Sequence, residues 1–497
     1  MSLKRNAIAN YLGQAWVAIM GVAFVPLYIR HLGMEAWGLV GFMAMLQAWL
    51  TVLDLGLAPT LSREMARFSG GAHDATGIRD LLRTLEWLYA GIAGAVVIGV
   101  WVAAPWLASH WLNASQLSQG VMTQAIVIIA LVLASRMVEQ VYRGALQGLQ
   151  QQVWLNRAQS LVATLRWGGG AIVVAARPEI GVFFLWQALA SLLSLLWLAQ
   201  RTYRELPTPE RRGQWRWSAI REVWRFAAGL AITTFLSLLL TQVDKLLLSK
   251  LVTLEAFGHY TLSAAVAAML GHVAGPMANA IYPRLSELLA RGERQRLIEA
   301  YHQGCQWVAV LLIPAGLMTA FFSEPLLLAW TGDRRIAMSA APLLAPLAIG
   351  SLCNGLMLVP YMAQLAYGMT GIAVRLSAVA VAVIVPALLW IIPRYGAVGA
   401  AWAWCLLNAS YIVFGMHYMH VKLLPGEKWR WYLDALGRPL MVGGITVWVL
   451  TQVIVIPVTR LGSGVVLVAS GCVVLGLTVC ATPAPWQYVR RRMGFAA

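Results

Sequence analysis

The sequence predicts an all-α, polytopic membrane protein with about 14 transmembrane helices, in two six-helix parallel-repeat lobes plus two extra C-terminal helices. Composition is the first reason. Of the 497 residues, 60% are apolar and only 11% are charged, whereas water-soluble domains carry far more charge. The second reason is that the apolar residues are grouped in runs of about 20, the length that crosses the hydrocarbon core.

Segments of sufficient length and hydropathy follow one another along the chain. No A-x-A-like site follows a short apolar run near the N-terminus, so we interpret the first segment as an uncleaved helix. The predicted segments are 7–29, 37–60, 82–104, 119–142, 153–176, 180–200, 226–249, 256–281, 303–323, 337–362, 370–392, 397–419, 435–457 and 463–482.

The formal charge of +17 is spread over short loops. A nucleic-acid binder needs a basic patch with interleaved aromatic side chains, and because this pattern offers none, we expect no nucleic-acid partner. Loops rich in Lys and Arg alternate with poor ones, and the rich loops lie on the side of the N-terminus. The positive-inside rule therefore predicts a multi-pass protein of the bacterial inner membrane with both termini in the cytoplasm.

The longest loop, 201–225, is basic, contains prolines and has no strand pattern. We interpret it as a cytoplasmic linker between an N-terminal lobe (1–200) and a C-terminal lobe (226–422). Residues 423–497 then hold the two extra helices and a basic cytoplasmic tail. Because no loop can hold a catalytic domain, we expect that the protein is not an enzyme. Its five cysteines stand apart in apolar segments, which argues against a disulfide framework and against a metal site.

Two short stretches recur along the chain. LGMEAWGLVGF (32–42) matches VTLEAFGHYTL (252–262), and LSREMAR (61–67) matches LSELLAR (285–291). An even number of predicted helices separates the copies, so both copies face the same way and the repeat is parallel, about an axis along the membrane normal. Two such lobes around a central site are a recurring plan among transporters.

These glycine- and aromatic-punctuated motifs also carry a family resemblance. YIRHLGMEAWGL (28–39) and VLDLGLAPTLSREMA (52–66) are similar to the opening of the polysaccharide-transporter branch of the MOP (multidrug/oligosaccharidyl-lipid/polysaccharide) exporter superfamily. QVDKLLLSKLVTLEAFGHY (242–260) resembles the family's seventh-helix segment. IPRYGAVGAAWAW (392–404) resembles its turn between the eleventh and twelfth helices.

The resemblance implies a Wzx-type flippase, which transfers undecaprenyl-diphosphate-linked oligosaccharide from the cytoplasmic to the periplasmic leaflet. It also implies two six-helix lobes around a cationic cavity. The predicted helix number departs from the family's commoner twelve and is closer to that of the lipid II flippases.

Charged residues inside the predicted segments are the candidate site residues, because each unpaired charge at the bilayer centre costs about 2.5–3.5 kcal/mol on insertion scales. In the fourth segment, Arg136, Glu139 and Arg143 share a face with Gln140 and Gln147. Glu139 and Arg143 can pair within the helix. Arg136 lies deeper and has no obvious partner there, so we expect it to face a cavity.

Arg166 lies near the middle of the fifth segment, next to Gly168–Gly170, which permit a bend or a close helix approach. An ion pair with Asp54 or Glu86 is the structural alternative for it. The guanidinium groups of Arg136 and Arg166 suit a diphosphate, which accepts paired N–H groups. We therefore predict that both bind substrate.

Two further cations complete the predicted substrate-binding set. Lys245 follows Asp244 in a polar stripe of the seventh segment, where a structural pair is the alternative. Arg375 lies near the cytoplasmic end of the eleventh segment, where snorkelling is the alternative. A membrane carboxylate near an arginine can exchange a proton near neutral pH, which leaves coupling to H⁺ or Na⁺ open; we expect no other cofactor. The candidate ion-coupling residues are Asp54, Glu86, Glu139 and Asp244.

The predicted partners are a polyprenyl-diphosphate-linked oligosaccharide and membrane lipid, with a polysaccharide polymerase and glycosyltransferases as further candidates. The alternatives within the superfamily are a cation-coupled multidrug exporter and a lipid II-type flippase. A net-cationic cavity disfavours organic cations as cargo. A membrane glycosyltransferase or polymerase is a more distant alternative, because it generally needs a large external loop or a carboxylate motif at a membrane edge, and neither is visible.

Overall fold

The structure, a computed structural model, describes residues 3–54, 56–71, 74–207, 214–215, 217–457 and 459–492; within these, the side chains of 3–11, 217–233, 370, 372–373 and 492 are left out. Helices make up almost all of this described part. It contains no strand, and one isolated bridge joins Asn113 to Thr253. The predicted all-α class is confirmed. Residues 208–213 and 216 of the predicted linker lie outside the described part.

The chain forms two compact units, Met1–Gly258 and His259–Ala497. The predicted lobe boundaries stay a prediction. The helices that begin in the first unit are α1 (Leu3–Ala23), α2 (Val25–Leu32), α3 (Met34–Leu53), α4 (Leu57–Ser69), α5 (Ala75–Trp106), α6 (Gln119–Gly148), α7 (Gln152–Ala163), α8 (Gly170–Ala176), α9 (Ile180–Glu205), α10 (Trp217–Leu251) and α11 (Leu254–Ala290).

The second unit continues α11 and adds ten helices. These are α12 (Arg294–Phe321), α13 (Ser323–Thr331), α14 (Arg334–Leu356), α15 (Leu358–Ala366), α16 (Thr370–Ser410), α17 (Met416–Leu423), α18 (Lys428–Arg430), α19 (Arg438–Val453), α20 (Arg460–Ala481) and α21 (Pro483–Arg492). Four π-helical turns interrupt or extend the helices, at Leu107–Trp111, Thr164–Gly169, Tyr411–Gly415 and Trp431–Gly437.

Eleven helical runs in the described chain are long and apolar enough to cross a membrane, judged by length and composition. The predicted segments all fall on helices, and the difference in number has identifiable causes. The run from α7 to α8 carries Arg157 and Arg166, and part of α10 has no described side chains. Two predicted segments share the run Val374–Leu423, which bends at Gly396 (φ +58°). The predicted number of about 14 is consistent with this arrangement.

Glycine and proline separate the first helices of the first unit. Pro26 lies in the first turn of α2, where a missing N–H is tolerated. Gly33 (φ +85°) separates α2 from α3, and Gly56 (φ +72°) separates α3 from α4; a positive φ favours glycine because it has no Cβ. The predicted single segment 37–60 is therefore two helices that meet at Asp54.

Helix α6 is the centre of the first unit and packs against α3, α4, α5 and α9. Its crossing with α4 is very close. A Cβ on Gly144 would lie 2.6 Å from the carbonyl oxygen of Ala58, and one on Gly148 would overlap that of Ser62. Small residues four apart on both helices thus bring the two backbones together, as in membrane helix pairs generally.

The two copies of the repeated motif contact each other reciprocally within the first unit. Gly38 on α3 packs against the carbonyl of Leu254, and a Cβ on Gly258 of α11 would lie 2.6 Å from the carbonyl oxygen of Met34. Met34 and Gly38 correspond to Leu254 and Gly258 in the sequence repeat. Equivalent residues of the two motif copies thus exchange equivalent contacts.

In the second unit, α12 is the central helix and packs against α14, α19 and α20. The predicted extra helices, α19 and α20, pack on each other and bury Val447 and Val474 in the core around α12. A partly buried polar contact also ties α12 to the chain before α19, because His302 Nε2 lies 2.7 Å from Glu427 Oε2.

Candidate functional site

A cavity of about 470 Å³ lies within the first unit, between α3, α4, α5, α6 and α7. Ten of its sixteen lining residues are polar or charged, which is unusual for a helix bundle in a membrane. Its polar lining residues are Gln47, Thr51, Asp54, Ser62, Tyr89, Arg136, Gln140, Arg143, Gln147 and Gln159.

The break between α3 and α4 places Asp54 at the cavity wall. Asp54 Oδ1 accepts hydrogen bonds from the hydroxyl of Tyr89 and from the Ala58 backbone N–H (3.3 Å). The carboxylate therefore caps the first turn of α4, where a negative charge is stabilised by the helix dipole. Asp54 is half-buried and is the one carboxylate among the described residues that line the cavity.

Helix α6 presents a polar face to the cavity, as its spacing of three and four residues predicts. Arg136, Gln140, Arg143 and Gln147 all line the cavity. Glu139 lies outside the cavity lining and is almost completely buried, with 1% of its surface exposed.

The guanidinium of Arg136 is held by neutral oxygens. Its Nε donates to Ser191 Oγ (3.4 Å), its Nη2 to Gln187 Oε1 (3.2 Å), and its Nη1 to Gln47 Oε1. Among the described residues, the ion pairs of this region involve Arg143 and Arg166 and leave Arg136 out. A full positive charge therefore faces the cavity without a paired carboxylate.

Arg166 has a different environment. Its Nη2 lies 3.2 Å from Glu139 Oε2, while Arg143 Nη2 lies 2.6 Å from Glu139 Oε1. The alternative prediction for Arg166 was an ion pair with Asp54 or Glu86. Its ion-pair partner in the structure is instead Glu139. Arg166 also lies outside the lining of the cavity. The structure thus brings Arg136 and Arg143 to one cavity wall and locks Arg166 to a buried carboxylate.

The remaining predicted site residues lie outside this cavity. Glu86 accepts hydrogen bonds from Arg83 Nη1 (2.9 Å) and from the Tyr203 hydroxyl (2.7 Å). Lys245 Nζ lies 3.9 Å from Asp244 Oδ1, so the structural pair weighed for this dipeptide is present. Arg375 is exposed and belongs to the second unit. Their assignment to substrate binding or ion coupling stays a prediction.

Sequence reasoning missed the acceptors that hold Arg136. Gln187 and Ser191 lie one helical turn apart on α9, and both are fully buried. A signal for them was present, since with Ser194 they form a polar stripe in the otherwise apolar part of α9, residues 180–199. Such a stripe in a membrane segment must find polar partners on a neighbouring helix.

Comparisons with known proteins agree with this architecture. Residues 3–289, more than half of the chain, match the family model described as "Polysaccharide biosynthesis protein". The chain belongs to this family. Residues 230–391 also match the model named "MatE". A curated relative of this polysaccharide biosynthesis family member is the "Putative O-antigen transporter" of Shigella flexneri, which is 20% identical over 406 residues, 82% of this chain and 95% of that protein.

Solved structures show the same fold. The lipid II flippase MurJ, in an inward closed conformation, matches with a TM-score of 0.73 and 12% identity over 98% of this chain and 99% of that chain. An inward-facing MATE family multidrug transporter of the MOP superfamily matches with a TM-score of 0.65 and 14% identity, over 82% and 94% of the two chains. The predicted membership of the polysaccharide-transporter (Wzx-type flippase) branch of the MOP superfamily is confirmed. The family member is a multi-pass membrane protein.

Proposed function

We propose that this protein moves an undecaprenyl-diphosphate-linked oligosaccharide across the bacterial inner membrane by alternating access, for the synthesis of a cell-surface polysaccharide. One observation carries the proposal: Arg136 faces a polar cavity within the membrane helices and has only neutral oxygens as partners. In the proposed topology both termini are cytoplasmic, and the lobes are 1–200 and 226–422, joined by 201–225 and followed by the extra helices of 423–497.

The energetics of a buried charge favour an anionic cargo. An unpaired arginine at membrane depth costs about 2.5–3.5 kcal/mol on insertion scales. A protein therefore keeps such a residue where its charge has a function. A diphosphate supplies the missing negative charge and can accept two parallel N–H bonds from one guanidinium. Arg143 lines the same wall and adds a second guanidinium. An organic cation would be repelled, which disfavours a multidrug exporter.

The neutral part of the cavity suits the sugars of the cargo. Side-chain amides both donate and accept hydrogen bonds, and sugar hydroxyls do the same. Gln47, Gln140, Gln147 and Gln159 provide such amides. The cavity thus combines a cationic region for a diphosphate with an uncharged polar wall for the glycan, while the polyprenyl tail can remain in lipid.

Asp54 is the proposed ion-coupling residue. It shares the cavity with Arg136, so its protonation changes the net charge that the cargo meets. Glu86, Glu139 and Asp244 already have nearby cations in Arg83, Arg143 with Arg166, and Lys245, and are weaker candidates. In this proposal the protein makes and breaks no covalent bond in the cargo. Glycosyltransferases would supply that cargo and a polymerase would consume it.

Complementation of a deletion strain tests the proposal. Arg136→Ala should fail to restore surface polysaccharide, and the lipid-linked intermediate should accumulate in the inner leaflet while protein levels stay normal. Arg394→Ala is the matched control, because Arg394 is an exposed arginine of the second unit that contacts Trp390. Full restoration of polymer by Arg136→Ala at normal protein level would overturn the proposed function.

A lipid II-type flippase is the second candidate, favoured by the likeness to MurJ over nearly the whole chain. Lipid II is also a polyprenyl-diphosphate-linked saccharide, so the cavity suits both cargoes. Rescue of cells depleted of their own lipid II flippase distinguishes them. We expect no rescue by this protein; rescue would transfer the proposal to lipid II.

A further inference from the structure

The π-helical turn that carries Arg166 has an unusual set of hydrogen bonds. Three consecutive backbone carbonyls of the turn accept from side chains on other helices. Trp186 Nε1 donates to the Leu165 carbonyl (2.9 Å), Gln187 Nε2 to the Arg166 carbonyl (3.2 Å), and the Tyr28 hydroxyl to the Trp167 carbonyl.

The π-turn explains why these donors can reach the backbone. The extra residue in the turn shifts the helical hydrogen-bond ladder and turns its carbonyls toward the neighbouring helices. The side-chain donors add to the backbone bonds of the turn, since the Trp167 carbonyl also accepts from the Gly170 N–H. Glycines let the donors approach: a Cβ on Gly169 would lie 2.5 Å from the Trp186 ring, and one on Gly170 would lie 2.7 Å from the Tyr28 hydroxyl oxygen. The turn is therefore fastened to α2 and α9.

Gln187 differs from the other two donors because its side-chain amide oxygen also accepts a hydrogen bond from Arg136. Its Oε1 accepts from Arg136 Nη2 at 3.2 Å, while its Nε2 donates to the Arg166 carbonyl. An arginine can only donate and a carbonyl can only accept, so a single orientation of the amide satisfies both neighbours. Gln187 is fully buried, at 0% exposure, so water cannot replace either bond.

We propose that Gln187 is a positioning residue for the anion site: it fixes the Arg136 guanidinium toward the cavity by tying it to the π-turn of Thr164–Gly169. This inference rests on the proposed function, because it assigns a role in binding the diphosphate. Gln187 lies outside the cavity lining and acts only through Arg136. Its neutral oxygen orients the guanidinium without cancelling the charge, which a carboxylate at this position would do.

Two substitutions separate these effects. Gln187→Met keeps the length of the side chain and removes both hydrogen bonds. Gln187→Glu keeps the shape and an acceptor for Arg136, but neutralises that arginine and sets a second oxygen against the Arg166 carbonyl. Gln306→Met is the matched control, since Gln306 is a buried glutamine of the second unit whose Oε1 accepts from the Ala484 N–H (2.8 Å).

The test measures binding of geranylgeranyl diphosphate to the purified full-length protein, with geranylgeraniol as the uncharged comparison and thermal unfolding as a separate readout. We expect Gln187→Met to weaken diphosphate binding roughly tenfold, as the loss of one oriented charge-assisted bond implies. Gln187→Glu should weaken it at least as much. Geranylgeraniol binding should not change, and Gln306→Met should bind like the wild type.

A double-mutant cycle decides whether Gln187 acts through Arg136. In an Arg136→Ala background, Gln187→Met should cause no further loss of diphosphate binding. Additive losses, or wild-type binding by both Gln187→Met and Gln187→Glu, would overturn the positioning role while Arg136→Ala still upholds the proposed function. If the wild type binds the diphosphate no better than geranylgeraniol, the anion site and the positioning role both fall.

Discussion

Arg136 and Arg166 are the same residue type on neighbouring membrane helices, yet they have opposite surroundings. Arg136 donates to three neutral oxygens and lines a cavity. Arg166 donates to Glu139, which also holds Arg143, and lies outside the cavity lining. One guanidinium is left for an outside partner, and the other is ion-paired within the protein.

This difference separates a functional charge from a structural one. A buried ion pair is expensive to break, because the remaining partner is left uncompensated. A guanidinium held by amide and hydroxyl oxygens keeps its charge and can take an anion without breaking an ion pair. The comparison predicts that substitutions around Glu139 affect mainly stability and that substitutions at Arg136 affect mainly transport.

The largest effect on stability is expected for Glu139→Ala. It removes the almost fully buried carboxylate that Arg143 and Arg166 share and leaves Arg166, which is 13% exposed, without an anion. We expect the free energy of unfolding to fall by about 3 kcal/mol. Denaturation of the purified protein in detergent measures this change. Glu287→Ala is the control, because Glu287 also lies between two arginines, Arg284 and Arg291, but is exposed; its loss should have little effect on the free energy of unfolding. Equal losses would contradict the contrast.

Replacing each arginine by methionine in turn compares their contributions to stability and to transport. Arg166→Met removes one of the two partners of Glu139 and should lower the free energy of unfolding by about 1–3 kcal/mol. Arg136→Met leaves no carboxylate unpaired in the described structure but removes the donor to the buried Gln187 oxygen. It should lower the free energy of unfolding by about 1 kcal/mol, the low end of the cost of an unpaired buried acceptor, while transport is lost. Unfolding and transport assays on the same preparations measure both. A destabilised Arg136→Met that retains transport would reverse the assignment.

Much of this contrast could be read from the sequence. The spacing of three and four residues on α6 placed Arg136 and Arg143 on one face, because a helix repeats every 3.6 residues. The hydropathy pattern similarly fixed the fold class. These are local, periodic properties, and folding preserves them because a membrane requires helical segments that are apolar and long enough to cross it.

The hydrogen-bond and ion-pair partners of the arginines could not be predicted from the sequence in this way. Glu139 and Arg166 are on different helices, and their contact depends on where α6 and the α7–α8 run cross. The π-turn at Thr164–Gly169 adds a further rotation that no hydropathy pattern carries. Sequence spacing orders side chains around one helix, whereas the pairing between helices is set by packing at residues such as Gly169 and Trp186.

A smaller effect is expected where α4 crosses α6. Gly148→Ala places a Cβ against the carbonyl of Ser62, so the helices must separate, at a cost of about 1–3 kcal/mol in the free energy of unfolding. The shift should displace the cavity wall at Arg143 and lower transport, while the Glu139–Arg166 pair is unaffected. Gly94→Ala on α5 is the control, since nothing lies within 4 Å of its Cβ. Wild-type stability and transport in Gly148→Ala would show that the crossing can relax.

The smallest effect is expected for Asp54→Asn, which changes the charge that shares the cavity with Arg136. An ionised Asp54 repels a diphosphate, so wild-type binding should strengthen as the pH falls and Asp54 takes up a proton. The asparagine carries no charge at any pH; it should bind the diphosphate about threefold more tightly at neutral pH and show a flatter pH profile. Binding of geranylgeranyl diphosphate across a pH series measures both effects. If Asp54→Asn keeps the full pH dependence of the wild type, the titrating group lies elsewhere and Arg136 meets its cargo independently of Asp54.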